Sequence, residues 1–265
     1  MPGPDEWLNL DGKVAIVTGA GHGIGSAIAE ALAACGAHVY ATDRDAGAVA
    51  SAPKGRNLSH GALDVSDSAA VDAFFHEVVA ESQRLDILVN NAGVYRGFGG
   101  PVVEMPDAAW RTLMSVNLDG VFYCSRAACR AMAGCGNGGR IINIASTQAF
   151  TPGVGVTYDS SKAAVVQMTR TLALEMASHG INVNAIAPGA TWVYDSPPPP
   201  VSADPPPAPT GEPLADTVAN RISRIPLGRW ASPGEVARVA LFFASGMSDY
   251  VTGVCLPVDG GWLLL

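Results

Sequence analysis

Seven short apolar runs alternating with longer helix-like stretches predict an α/β fold. The expected form is a single domain with one doubly wound, seven-stranded parallel sheet flanked by helices on both faces. Two further observations support this class. Apolar residues make up 48% of the 265 and charged residues only 15%, a balance suited to strands covered on both sides. A glycine-rich turn follows directly on the first apolar run, and sheets of this kind bind ligands beyond the carboxyl ends of their strands.

The strands are predicted at Lys13–Thr18, His38–Thr42, Leu58–Leu63, Leu85–Asn90, Arg140–Ala145, Asn182–Ile186 and Val254–Val258. Helices are predicted at Ile24–Cys35, Ser68–Ser82, Ala108–Ala133, Thr157–Ala177 and Pro233–Ser245. Strands that alternate with helices pair in parallel through right-handed crossovers. One segment departs from the pattern. Nine of the nineteen prolines fall between Pro197 and Pro213, where missing donors and a fixed φ rule out an ordinary helix or strand. An insertion at about 192–222 is read as a loop that doubles as a lid over a substrate, because it follows the Pro188-Gly189 turn at a strand end.

Composition narrows the function classes. The formal net charge is −8, with no cluster of lysine or arginine, so nucleic acid and anionic membranes are not expected partners. The five cysteines form no Cys-x-x-Cys pair and the five histidines show no metal-ligand spacing. Free thiols in a reducing cytoplasm, and no metal, are therefore expected. The first ten residues contain Asp5 and Glu6 and lack a basic-then-apolar pattern, which does not read as a secretory leader.

The glycine-rich turn runs Thr18-Gly19-Ala20-Gly21-His22-Gly23-Ile24-Gly25. Glycines admit a close pyrophosphate, and the first free N–H groups of the following helix favour an anion. Asp43 ends the second predicted strand, eighteen residues after Gly25. A carboxylate there can accept both adenosine ribose hydroxyls and would repel a 2′-phosphate, which argues for NAD over NADP. Arg44 beside it and His22 in the turn are the two groups that could instead meet a phosphate. Asp64-Val65 closes the third strand, where an acid can meet the adenine amino group. Asn90-Asn91-Ala92-Gly93 closes the fourth, where small residues let backbone approach a cofactor.

Tyr158 and Lys162 lie four apart, one helical turn, and so share a helix face. The chain has only three lysines and six tyrosines, so a chance pair at this spacing is expected about 0.07 times. A cation beside a phenol favours the phenolate, and an ionisable tyrosine can exchange a proton with a carbinol oxygen.

With Asn117, Ser146, Pro188-Gly189 and Asp259-Gly260-Gly261 added, the chain from about Leu10 onwards resembles the short-chain dehydrogenase/reductase family, with its Rossmann-type sheet. The resemblance implies that Tyr158 is the general acid/base, shifted from about 10 towards 7 by Lys162 and by oxidised nicotinamide. It implies that Ser146 hydrogen-bonds the substrate oxygen, that Lys162 holds the nicotinamide ribose, and that Asn117 holds a water in a proton relay. Three departures are visible, one of them the proline-rich insertion. Ser146 lies twelve residues before Tyr158, where thirteen is commoner, so a loop shorter by one is expected. Val193 stands where many members place a carboxamide-binding threonine, while Thr191 lies two residues earlier.

Tyr95, Gln148, Trp192 and Tyr194 are the substrate-facing candidates, from their positions after these motifs. The expected reaction interconverts a secondary alcohol and a ketone of a sugar, polyol or cyclic alcohol with NAD(H). Reduction of a 3-oxoacyl thioester, and nucleotide sensing without catalysis, are the alternatives. The resemblance also implies a homotetramer or homodimer, with the apolar end Trp262-Leu263-Leu264-Leu265 suited to burial between subunits.

Overall fold

The computed structural model of the protein describes residues 3–51, 55–95, 100–194 and 225–264. The proline-rich stretch between 197 and 213 lies outside the described residues.

Seven strands form one parallel sheet: β1 Val14–Thr18, β2 His38–Asp43, β3 Leu58–Ala62, β4 Ile87–Asn90, β5 Gly139–Ile144, β6 Ile181–Pro188 and β7 Cys255–Val258. Their spatial order is β3-β2-β1-β4-β5-β6-β7, so the winding reverses between β1 and β4. Helices follow as α1 Pro4–Leu8, α2 Gly23–Ala34, α3 Ala46–Ser51, α4 Ser68–Ser82, α5 Asp107–Met114, α6 Gly120–Cys135, α7 Val156–Met176 and α8 Pro233–Ala244. The predicted strands and long helices are all present, with ends moved by two residues or fewer. The exception is the single helix expected over Ala108–Ala133.

The two-residue period of the strands sorts the core into two layers. Ala15 and Val17 of β1 face one side with Ile87, Val89, Ile142 and Ile144, under α2 and α8. Val14 and Ile16 face the other side with Leu88, Ile141 and Val183, under α4 and α6. Alanines along α2 keep it slim, which lets α8 pack closely against it. At the carboxyl end of α4 the chain turns at Gln83 in the left-handed region, φ 58°, as helix ends commonly do.

The expected long helix is broken by a π-helical turn at Ser115–Asp119, between α5 and α6. One extra residue per turn there breaks the regular hydrogen-bond ladder, and such turns cluster at functional sites. Periodicity over 26 residues hides a one-residue phase change, so the sequence pattern did not reveal it.

Phe243 of α8 is 1% exposed and sits in the layer beneath α2. Phe243→Ala is expected to lower unfolding stability by about 3–5 kcal/mol through lost burial and the cavity left behind. A urea titration checks this: the midpoint should fall at an unchanged slope, and an unmoved midpoint would show that α8 is not part of the cooperative core.

Candidate active site

A cavity of about 800 Å³ runs along the carboxyl ends of β1, β2, β4, β5 and β6. At one end lie Asp43, Arg44 and Asp64; at the other, Ser146, Tyr158 and Lys162. The glycine turn after β1 forms its floor.

Gly19 has φ +63°, and a Cβ there would lie 2.7 Å from the Ala92 Cα. Glycine is therefore required where the two strand ends meet. The N-terminal residues of α2 carry no side-chain cap, and no acid occupies its first turn. Its free N–H groups and positive dipole end are the kind of group that favours an anion. The Cβ of Gly23 would meet Val193 across the cleft at 3.2 Å. Val193 is thus the residue opposite the turn, while the Thr191 hydroxyl donates to the Gly189 carbonyl at 3.3 Å.

Asp43 accepts the Gly21 N–H at 3.1 Å and the Asp45 N–H at 3.0 Å, one on each carboxylate oxygen. Each oxygen keeps a further lone pair for a ligand hydroxyl. Asp64 accepts from the Ser66 N–H at 3.0 Å and the Ser66 hydroxyl at 2.7 Å. Burial works against its charged form, but those hydrogen bonds and the nearby Arg44 charge hold it below the usual carboxylate range.

α7 carries Tyr158 and Lys162 on one face, with Ser161 bonded back to the Tyr158 carbonyl at 2.7 Å. Lys162 is 4% exposed. Its Nζ donates to the Ile144 carbonyl at 2.8 Å and lies 5.8 Å from the centre of the Tyr158 ring. Ser146 lies near enough to Tyr158 to favour its ionised form and accepts the Gln148 N–H at 3.2 Å. The twelve-residue spacing therefore keeps the serine and tyrosine near each other. Asn117, fully buried, accepts the Val94 N–H at 2.8 Å and donates to the Val94 carbonyl at 2.9 Å. The π-helical turn brings it there, and its amide fixes the strand end that leads into Tyr95.

Without a bound nicotinamide, the electrostatics of the reacting pair are set mainly by burial. Burial pushes the Tyr158 phenol up to about 12; the nearby Ser146 hydroxyl pulls it back, while Tyr95 and Asp159 add to the rise. Burial also pulls the Lys162 ammonium down to about 8. The protein by itself therefore does not bring the phenol towards neutrality, because the same burial that shelters the tyrosine weakens its cationic neighbour.

All of the predicted cofactor and reaction residues named above line the cavity or bond to one another around it, except that Gly21, Gly25 and Asn117 sit behind its wall. Gly25 instead abuts the Gly19 carbonyl. Tyr95, Gln148, Trp192 and Tyr194 line the cavity as expected. Tyr95 meets Tyr158 edge-on at 6.1 Å. Trp230, Trp262 and Val154 also line it and were not singled out in the sequence. Trp230 lies three residues before α8 and far along the chain from the other motifs. In the apolar C-terminus Trp262 is 9% exposed within this chain, while Leu264 is 83% exposed.

Comparison with known proteins decides the family. The family described as enoyl-(acyl carrier protein) reductase matches residues 19–263. The chain belongs to the short-chain dehydrogenase/reductase family. It is 39% identical to the 2-dehydro-3-deoxy-D-gluconate 5-dehydrogenase of Dickeya dadantii (strain 3937), across 97% of both chains. It is 40% identical to the galactitol 2-dehydrogenase (L-tagatose-forming) of Cereibacter sphaeroides, across 96% of both. Among solved structures, a gluconate 5-dehydrogenase from Burkholderia cenocepacia J2315, in complex with NADP and tartrate, superposes with a TM-score of 0.84. That protein is 33% identical, with 99% of this chain and 100% of that chain covered. The present short-chain dehydrogenase/reductase is a nicotinamide-dependent oxidoreductase that interconverts secondary alcohols and ketones. Among the described residues, no helix is long and apolar enough to cross a membrane.

Burial of Lys162 gives a test of the site's electrostatics. Its folded value, about 8, lies below the unfolded value of about 10.5, so between those two the unfolded chain binds more protons and stability rises with pH. Tyr158 works oppositely between about 10 and 12. Lys162→Met removes the first contribution, worth up to about 3 kcal/mol below pH 8. Its Tm relative to the parent should be highest at pH 7 and fall as pH rises to 10; a constant difference would mean that Lys162 is not strained by burial.

Proposed function

We propose that the protein is an NAD-dependent dehydrogenase of the secondary alcohol of a sugar, sugar acid or polyol, with Tyr158 as general acid/base. The observation that carries this reading is the closeness of Ser146 to Tyr158 above the buried Lys162, at the end of a cavity that reaches Asp43. The printed names of the relatives, which act on a ketodeoxygluconate and on galactitol, support the substrate class.

In oxidation, the Tyr158 oxygen takes the proton of the carbinol, and the Ser146 hydroxyl donates to the same substrate oxygen as charge develops there. Lys162 holds positive charge next to Tyr158 and relays its proton outward, with Asn117 keeping the Val94 backbone, and with it Tyr95, in register. Gly19, Gly23 and the N–H groups of α2 would hold the pyrophosphate, Asp43 the adenosine ribose, Asp64 and Val65 the adenine side, and Lys162 the nicotinamide ribose. A bound oxidised nicotinamide supplies the hydride acceptor and a positive charge beside the phenol. Restoring the phenol from about 12 to near 7 needs about 7 kcal/mol of differential stabilisation, so turnover depends on that added charge.

NAD is preferred over NADP because Asp43 faces the ribose position and a 2′-phosphate there would meet a carboxylate. Arg44, which lines the same end, supports the second reading of NADP use. We place the enzyme in the cytoplasm as a homo-oligomer, tetramer or dimer. Exposed Phe122 on α6 and Val156 and Leu174 on α7 are apolar surface suited to such contacts.

Two measurements test these roles. Tyr158→Phe should bind NAD as the parent does while kcat falls at least about a thousandfold; a loss under tenfold would remove Tyr158 from its role. NAD+ should exceed NADP+ in kcat/KM by about tenfold or more, and Asp43→Ser should narrow that ratio by about 1–2 kcal/mol. A parent enzyme that favours NADP+ would overturn the assignment of Asp43.

A further inference from the structure

Among the described residues, the aromatic rings that line the cavity are tryptophans and tyrosines. Three of the chain's five tryptophans (Trp192, Trp230, Trp262) and three of its six tyrosines (Tyr95, Tyr158, Tyr194) line it. None of the phenylalanines among the described residues does. Elsewhere in the core the buried aromatic side chains include Phe75 and Phe243.

Three of the rings form a continuous corner. Trp192 meets Trp230 at 5.5 Å and Tyr194 at 4.8 Å, each at 65° between planes. Such edge-to-face contacts fix rings relative to one another. The backbone holds the corner as well. Thr191 and Ala231 form a parallel bridge, with the Trp192 N–H donating to the Ala231 carbonyl at 2.9 Å and the Ala231 N–H to the Ala190 carbonyl at 3.0 Å. Trp230 and Trp192 are therefore brought together from positions 38 residues apart. In the same cavity, Tyr95 lies edge-on to the reacting Tyr158.

An aromatic corner in the same cavity as the proton-transfer residue Tyr158 favours a ligand with a flat C–H face and polar groups on its rim. A closed ring of hydroxylated carbons presents such a face and loses no chain torsions on binding; an open-chain polyol breaks the face with each rotation and must freeze several torsions. Building on the proposed dehydrogenase activity, we infer that Trp192 and Trp230 are specificity-determining residues for a cyclic, polyhydroxylated secondary alcohol, bound with its C–H face on their rings and its reacting carbon at Tyr158. The carbinol carbon loses hydride and its oxygen loses a proton to Tyr158, giving the ring ketone, with oxidised NAD as the acceptor.

The experiment measures kcat/KM with NAD+ for ring substrates (inositols, cyclohexanediols, pyranosides) against open-chain hexitols and pentitols. It compares the parent with Trp230→Leu and Trp230→Phe. The best ring substrate should exceed the best open-chain one by at least tenfold. Trp230→Leu should lose at least tenfold on rings and less than threefold on open chains, while Trp230→Phe, which keeps a ring face, should retain the preference. An open-chain polyol favoured by the parent would overturn the inference and leave the dehydrogenase reading intact. So would an equal loss on both classes in Trp230→Leu, which marks Trp230 as packing only. No turnover of either class despite NAD binding would instead overturn the dehydrogenase reading, and this inference with it.

Discussion

The site depends on how two strand ends are held apart and together at the same place. β1 and β4 are neighbours at the point where the sheet reverses its winding, so their connections leave to opposite faces and open a crevice. Four hydrogen bonds span it. The Thr18 hydroxyl accepts the N–H groups of Asn91 and Ala92, both at 3.1 Å. The Asn91 side chain donates to the carbonyls of Thr18 and Gly19, at 3.0 and 2.8 Å. Any slip of β4 against β1 would leave several buried polar groups unpaired, at about 1–3 kcal/mol each. The glycine turn is thus fixed by the strand beside it, and not by its own sequence alone.

A second polar brace lies one layer deeper. The Asn90 side-chain amide donates to the Ser125 hydroxyl and to the Asn143 side-chain oxygen, and Asn143 in turn donates to the Thr169 hydroxyl. All four residues are 3% exposed or less. They tie β4 and β5 to α6 and α7, the helix that carries Tyr158 and Lys162. The Asn90 Oδ1 is buried without a partner among the described residues, but both Asn90 amide N–H groups are paired, and in a low-dielectric interior the arrangement is rigid because moving it strands a donor. That rigidity is what permits Lys162 to stay buried. Its burial lowers its own charge stability while placing Nζ against the Ile144 carbonyl.

Much of this was legible in the sequence because it is local. Apolar runs, glycine spacing, the Asp43 strand end and the Tyr158–Lys162 turn are all set by neighbours in the chain. What was not legible depends on contacts between distant segments. The π-helical turn at Ser115–Asp119 is defined by Asn117 reaching Val94, 23 positions away. Trp230 enters the cavity because Ala231 bridges to Thr191, a pairing that no periodicity announces. The size of the opposing burial effect on Tyr158 was not legible for a similar reason. Charge proximity can be read from a four-residue spacing, but desolvation depends on everything packed around it, and here desolvation is the larger effect.

The loop between Ser146 and Tyr158 shows how local and distant constraints combine. Ser146 caps the short turn at Thr147–Ala149. The chain must then return to α7 within a few residues so that the serine and tyrosine hydroxyls come close. Asp159, next to the reacting tyrosine, makes the closure. Its two carboxylate oxygens accept the N–H groups of Gly153 and Val154, at 2.9 and 3.2 Å. An acid in the first turn of α7 is also favoured by the helix dipole. The same carboxylate that draws the loop tight, and so sets Val154 in the cavity wall, adds a negative charge beside Tyr158 and raises its phenol. A shorter loop is therefore obtained at the expense of a less acidic tyrosine, which makes the cationic side of the site, Lys162 and the bound nicotinamide, correspondingly more important to proton transfer.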